Sequence, residues 1–313
     1  VSEITVSRGS STSYADISLI LATPAMFAAN MVAVRWAASL AMPPVFLAFG
    51  RWLLAFLILC PMVAPLAWAY RRVLLAHWKQ LAVLAALGMG LSVAPQYVGA
   101  KDTSAINVAL IFAACPIMVM LAESLLWGMR LGLMRISGIL AAVCGVLLVL
   151  TQGNPEALAH LRFGSGDLWV LLAACGWSAY TVLCKRHPLP TLPATVRLFA
   201  LVGGGALSLA PFALLESMHG HAPDFGDARL YFLLAFLALV PSLAAYSFYD
   251  RLVKSIGPSS ASVTIYLIPL FASLESWAMI GEAPKIFHIA GFGLILGGVI
   301  LTGMSRRQAA RQI

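Results

Sequence analysis

The sequence predicts an all-helical integral membrane protein of ten spans, arranged as two five-span halves of opposite orientation. Three observations carry this: an apolar composition, ten long windows without charge, and a repeat at a spacing near 150 residues. Of the 313 residues, 61% are hydrophobic and 10% charged, with a mean hydropathy of +0.91. Soluble proteins carry about 45–50% apolar and about 25% charged residues. A chain of this length cannot enclose such an apolar excess in one core surrounded by water. A soluble enzyme, a disordered chain and a secreted disulfide scaffold do not fit.

Asp, Glu, Lys and Arg are absent from ten windows: 17–34, 52–70, 80–100, 103–122, 136–155, 168–184, 198–215, 230–249, 255–274 and 286–305. A helix needs about 20 apolar residues to cross a hydrocarbon core of about 30 Å. Strands of a membrane barrel would instead alternate apolar and polar residues over about 10 positions. Runs such as Leu81-Ala-Val-Leu-Ala-Ala-Leu87 do not alternate, so the windows read as helices.

Basic residues set the orientation. With the N-terminus inside, the inner segments hold Arg8, Arg71, Arg72, Lys79, Arg130, Arg135, Lys185, Arg186, Arg251, Lys254, Arg306, Arg307 and Arg311. The outer loops hold only Lys101, Arg162, Arg229 and Lys285. This is the asymmetry of the positive-inside rule, and it places both termini in the cytoplasm of a bacterial-type inner membrane. The net charge of +8 is then explained by topology and anionic lipid, without nucleic acid. Residues 1–15 read as a polar cytoplasmic tail without a cleaved signal peptide, and 306–313 as a basic cytoplasmic tail. Cys60, Cys115, Cys144, Cys175 and Cys184 lie in or beside apolar windows without C-x-x-C spacing, and read as small buried hydrophobes.

A shift of 153 residues carries Pro116 onto Pro269, Gly128 onto Gly281, Gly138 onto Gly291, Gly145 onto Gly298 and Val146 onto Val299. At a shift of 150, Phe27-Ala-Ala-Asn-Met-Val32 meets Trp177-Ser-Ala-Tyr-Thr-Val182. One half therefore covers 16–152 and the other 165–305. Five spans is an odd number, so the second half enters from the opposite side. Inverted repeats are an architecture of secondary carriers, with substrate between the halves near the midplane; channels can be built this way too.

The residues also resemble a family. Tyr246-Ser-Phe-Tyr-Asp-Arg-Leu-Val-Lys-Ser-Ile-Gly-Pro258, then Ile265-Tyr-Leu-Ile-Pro-Leu-Phe271, Gly281-Glu282, Gly291 and Gly297-Gly-Val-Ile300 are similar to the EamA-type members of the drug/metabolite transporter superfamily. Arg51-Trp-Leu-Leu-Ala55, Gly99-Ala-Lys-Asp-Thr103 and Gly166-Asp167 agree with it. The resemblance covers about 16–305 and implies ten helices in two halves and export or exchange of small metabolites, as in the YddG-type amino-acid exporters. Two positions depart from the pattern: Met129 stands where the family often has Glu, and Phe27 where it often has Trp.

Ionisable groups inside spans are functional candidates by default. Arg51 and Glu275 fall at similar depth toward the outer side, and Arg197 and Glu123 toward the inner side, one of each from each half. They are candidates for outer and inner gates or for proton coupling, with snorkelling to headgroups as the plain alternative. Asn30, Gln96, Asn107, Trp177, Tyr180, Tyr246 and Tyr266 are the candidate lining of a substrate pocket, against the alternative of bonding between helices. Gly138/Gly145 and Gly291/Gly298 read as packing faces within each half. Trp36, Trp68, Trp78, Trp127 and Trp169 read as an interface belt.

Other functions fit less well. Gly164-Ser-Gly-Asp167 and Tyr249-Asp250 match strings of intramembrane aspartyl proteases, but in the reverse order and at opposite span ends. His219, His221 and Asp224 lie in one outer loop, where solvation explains them without a metal. No phosphate-binding loop occurs. The expectation is a transporter without cofactor or metal, a monomer or weak dimer. It moves a small polar or amphipathic metabolite, amino-acid-like and exported, by alternating access, with protons or a counter-substrate as further partners. The alternatives are a metabolite or drug-cation exchanger or uniporter, or a channel-like facilitator.

Overall fold

The computed structural model describes residues 14–128, 132–151, 153–154, 164–186, 189, 192–256 and 264–310. Arg8, Arg130, Arg162, Gly257-Pro258 and Arg311 lie outside the described residues. The described chain is helical throughout: α1 (Tyr14–Ser39), α2 (Pro44–Ala69), α3 (Arg71–Ala76), α4 (Trp78–Ala85), α5 (Ala94–Gly99), α6 (Ala105–Ala113), α7 (Cys115–Trp127), α8 (Leu133–Leu150), α9 (Ser165–Arg186), α10 (Ala194–Met218), α11 (Ala228–Leu237), α12 (Ala245–Ile256), α13 (Ile268–Ile280) and α14 (Ile286–Ala310). Helix is the form in which an apolar segment satisfies its own backbone without water.

Among the described residues, seven stretches are long and apolar enough to cross a membrane: 17–39, 44–69, 78–99, 105–126, 165–184, 194–218 and 228–252. Shorter apolar helices cover Ile136–Gly145, Ile265–Ile280 and Ile286–Gly298, where the fifth, ninth and tenth windows fall. Helix ends depart from window ends for a physical reason. The second helix starts at Pro44, because Arg51 is carried inside it and a search for charge-free windows is cut there.

Several spans are interrupted in matching ways. A π-helical turn at Ala86–Leu91 links α4 to the residues before α5, and another at Ala238–Ala244 links α11 to α12. The two lie 152 residues apart. α6 gives way to α7 just before Pro116, and a 3-10 turn at Ile265–Leu267 gives way to α13 just before Pro269. Proline cannot donate to the preceding turn, which fixes the break at each site. α7 and α13 both end on glycine in the left-handed region, Gly128 at φ 63° and Gly281 at φ 72°, where a side chain would be strained.

The largest interfaces join the two halves of the sequence: α8 with α14, α2 with α10, α1 with α13 and α12, and α9 with α5, α6 and α7. The glycine pairs explain the first. A Cβ at Gly145 would meet the Gly291 carbonyl oxygen at 2.8 Å, and one at Gly298 would clash with the Gly138 carbonyl oxygen. The expectation that these glycines pack within their own half is thus corrected: they bring α8 and α14 together at backbone distance. Gly203, Gly204 and Gly205 likewise take Phe56, Ala85 and Met89 against α10.

Candidate functional site

Two buried polar clusters bridge the halves. The first is centred on Arg51, on the second turn of α2 and only 4% exposed. Its Nε donates to Ser242 Oγ at 2.9 Å, and its Nη1 donates to Asn30 Oδ1 and to Tyr97 Oη, both at 2.6 Å. Tyr97 in turn donates to Asn30 Oδ1 at 2.9 Å. The guanidinium carbon sits 4.3 Å from the Trp52 ring centroid and 5.8 Å from that of Tyr97. Ring faces and three neutral oxygens therefore surround the cation.

The interrupted helices build this cluster. A π-turn loosens the regular backbone ladder and is frequent at functional sites. Trp52 Nε1 donates to the Met89 carbonyl of the first π-turn at 2.9 Å. Ser242, in the second π-turn, donates to Leu237 O at 2.7 Å and keeps its lone pair for Arg51. Consecutive residues of α2 are thus fastened to both π-turns, one from each half. Tyr246 follows one turn later, edge-on to Phe27 at 5.5 Å and to Trp52 at 6.4 Å.

The second cluster lies where α6, α9 and α14 begin. Asp167 Oδ1 accepts from Thr103 Oγ1 at 2.5 Å and from Asn107 Nδ2 at 3.3 Å. Asn107 Oδ1 faces His288 Nε2 at 3.1 Å, while His288 Nδ1 accepts from the Lys285 backbone N–H at 2.9 Å. The second bond fixes the ring: Nδ1 is the acceptor, so Nε2 carries the proton given to Asn107. All four side chains are buried. Beside them Arg35 Nε pairs with Glu282 Oε1 at 2.7 Å, and Arg35 Nη1 donates to the carbonyls of Ala100 and Lys101 at 2.9 Å. Glu282 Oε2 also accepts from Ala105 N, at the N-terminus of α6, where a negative charge is favoured. Glu216 does the same for α2, accepting from Val45 N and Phe46 N. Asp227 caps α11 through Arg229 N. The Arg229 side-chain hydrogen bond holds the Asp227 carboxyl below its ordinary range.

The structure gathers the sequence candidates unevenly. Asn30, Arg51 and Tyr246 meet, joined by Tyr97, Ser242 and Trp52, which pattern reading passed over. A mid-span Arg demands acceptors, and that demand was the signal available for Tyr97 and Ser242. Asn107 joins Asp167 and His288 at the helix ends, away from Arg51's partners. Trp177 and Tyr180 pack with ring centroids 5.3 Å apart and planes tilted by 35°, with Gly88 against the Tyr180 ring. Tyr266 is half-buried in the 3-10 turn. Gln96 is buried and its Nε2 lacks a partner. Glu123 is buried and Arg197 exposed.

Arg51 and Glu275, the candidates for an outer gate that closes, form no ion pair with each other in this structure. Arg51 is satisfied by neutral dipoles, and Glu275 is half-buried with Oε2 unpartnered. Arg35–Glu282 and Arg229–Asp227 are ion pairs among the described residues. Of the protease-like aspartates, Asp167 is bound to Thr103 and Asn107, and Asp250 pairs with Lys254 at 2.5 Å. A lateral groove of about 460 Å³ opens between α2 and α10, lined by Phe49, Leu53, Phe56, Phe199 and Leu207 among others. Its lining holds no polar side chain and offers a polar solute nothing to bind.

The sequence model of the EamA-like transporter family matches this chain twice, over residues 15–151 and 164–304. The chain belongs to the EamA-like transporter family. It is accordingly a multi-pass membrane transporter of the drug/metabolite transporter superfamily. This EamA-like chain is 29% identical over 204 residues to the uncharacterized transporter YyaM of Bacillus subtilis, covering 65% of this chain and 66% of that one. An uncharacterized transporter of Archaeoglobus fulgidus is 28% identical over 273 residues, 85% of this chain and 89% of its own length. An S-adenosylmethionine/S-adenosylhomocysteine transporter of Chlamydia trachomatis is 26% identical over 233 residues, 69% of this chain and 68% of its own length. One solved crystal structure superposes with a TM-score of 0.60 at 18% identity, covering 94% of this chain and 99% of that chain; this likeness concerns the fold.

Proposed function

We propose that this transporter is a ten-span secondary carrier of two inverted halves, 16–152 and 165–305, which exports a small amino-acid-like metabolite by alternating access across a bacterial-type inner membrane. The observation that carries the reading is the Arg51 cluster. It is polar, buried, walled by Trp52, Tyr97 and Tyr246, and built from both halves beside two matching π-turns. Discontinuous helices at a repeat interface are where carriers of this architecture place substrate. The double match to one family model and the breaks recurring at a spacing of 152–153 residues support the repeat. Both termini are cytoplasmic in this reading, as the excess of basic residues on that side requires.

The remaining candidates take graded roles. Trp177, Tyr180 and Tyr266 provide further ring walls, and Gln96, with its unpartnered buried amide, provides a donor. Glu275 is the carboxylate that exchanges a proton, since it holds a lone oxygen without a partner inside a span. Glu123 and Arg197 serve the inner side. The Chlamydia relative is named for S-adenosylmethionine and S-adenosylhomocysteine, both amino-acid derivatives, which agrees with this choice of solute.

The experiment is an uptake screen of amino acids in proteoliposomes, with and without a pH gradient. Saturable uptake that responds to the gradient, with the response lost in Glu275→Gln, is expected. Flux that does not saturate would favour a channel-like facilitator.

A further inference from the structure

Arg51 poses an electrostatic problem that the protein leaves unsolved. A cation taken into the interior is expensive unless it is paired with an anion and its donors are all met. Arg35 shows how this chain meets that cost elsewhere, with a carboxylate and two carbonyls. Arg51 is far more buried and has neither. Among the described residues no carboxylate forms an ion pair with it, and its three bonds all end on neutral side-chain oxygens. The charge is therefore whole, balanced by no carboxylate among the described residues.

We infer that Arg51 is the anchor for a carboxylate of the transported solute, so that the site selects organic monocarboxylates by their anionic end and treats the amino group as dispensable. This rests on the reading of the Arg51 cluster as the substrate site. One guanidinium neutralises one charge, and a carboxylate can accept directly from it. A phosphate monoester carries about −1.5 to −2 charges at neutral pH, more than a single Arg can balance. The body of the ligand then meets Trp52, Tyr97, Tyr246 and Phe27, a set of rings that suits an apolar or aromatic substituent. Nothing bonded within the cluster is anionic, so an ammonium group finds no counter-charge there. An amine without a carboxylate would place a second cation beside Arg51, where repulsion excludes it.

The test is competition against uptake of labelled L-phenylalanine into proteoliposomes containing the full chain. 3-Phenyllactate and 3-phenylpropionate should inhibit about as well as unlabelled phenylalanine, while phenethylamine and phenylalaninamide should not. Arg51→Gln should weaken binding of the carboxylates by about 30-fold or more, the loss expected when one partner of a buried charged pair is removed. Arg51→Lys should retain part of it. Saturable uptake inhibited equally by phenethylamine would overturn the anchor while leaving the carrier intact. So would inhibition constants unchanged in a folded Arg51→Gln. The comparison of inhibitors on the unmodified chain decides the point even if the variant does not fold. Absence of saturable uptake for every amino acid and carboxylate tried, with the chain monodisperse, would remove the amino-acid-like reading and the anchor together.

Discussion

Arg35 and Arg51 make the same number of hydrogen bonds, yet they belong to regions built on opposite principles. Around Arg35 the charges close on themselves: Glu282 takes the guanidinium and caps α6, and Asp167, Asn107, Thr103 and His288 form a continuous chain beside it. Around Arg51 the oxygens are neutral, and no carboxylate pairs with it among the described residues. A fastening should have every group matched, because unmatched buried groups cost stability. A binding site should leave something for its ligand to complete. The contrast separates structure from function within one polar seam.

The fastening should break by loss of stability. Asn107→Leu strands the His288 Nε2–H and removes one donor from Asp167. At about 1–3 kcal/mol for each buried group left unpaired, it should lower the unfolding temperature more than any other polar substitution considered. Thermal denaturation of the detergent-solubilised chain measures this.

A smaller effect is expected at Arg35. Its pair with Glu282 is partly solvated, with side chains 29% and 23% exposed, so coupling in a cycle of Arg35→Gln and Glu282→Gln should be about 1 kcal/mol. A coupling near zero would reduce the pair to two independent helix caps.

Much of this organisation is readable in the amino-acid order. The charge-free windows locate the spans because hydrocarbon tolerates few ionised groups. Pro116, Pro269, Gly128 and Gly281 mark breaks and caps, because proline and glycine act through local backbone chemistry. The polar clusters are harder to read. Thr103, Asp167 and His288 come from three elements, and nothing in the spacing of 103, 167 and 288 says that they meet. Arg51 was legible as a costly residue, while its neutral partners Asn30, Tyr97 and Ser242 were not, because depth along a helix says nothing of the direction a side chain faces. The π-turns were invisible to pattern reading, since Ala86–Leu91 and Ala238–Ala244 are as apolar as the regular helix around them.

Gln96 should give the smallest effect. Its Nε2 already lacks a partner, so Gln96→Leu should leave the unfolding temperature unchanged or raise it slightly. A marked loss of stability would show that the amide is bonded after all. Loss of uptake alone would add Gln96 to the ligand's contacts.

Counterflow separates the two arginines most directly. Proteoliposomes preloaded with unlabelled phenylalanine are diluted into labelled phenylalanine, and the transient overshoot is followed for the unmodified chain, Arg35→Gln and Arg51→Gln. The account predicts an overshoot in the unmodified chain, its persistence in Arg35→Gln and its loss in Arg51→Gln, with all three proteins monodisperse. An overshoot in Arg51→Gln equal to that of the unmodified chain would contradict it, because the substrate would then cross without the one buried charge assigned to hold it.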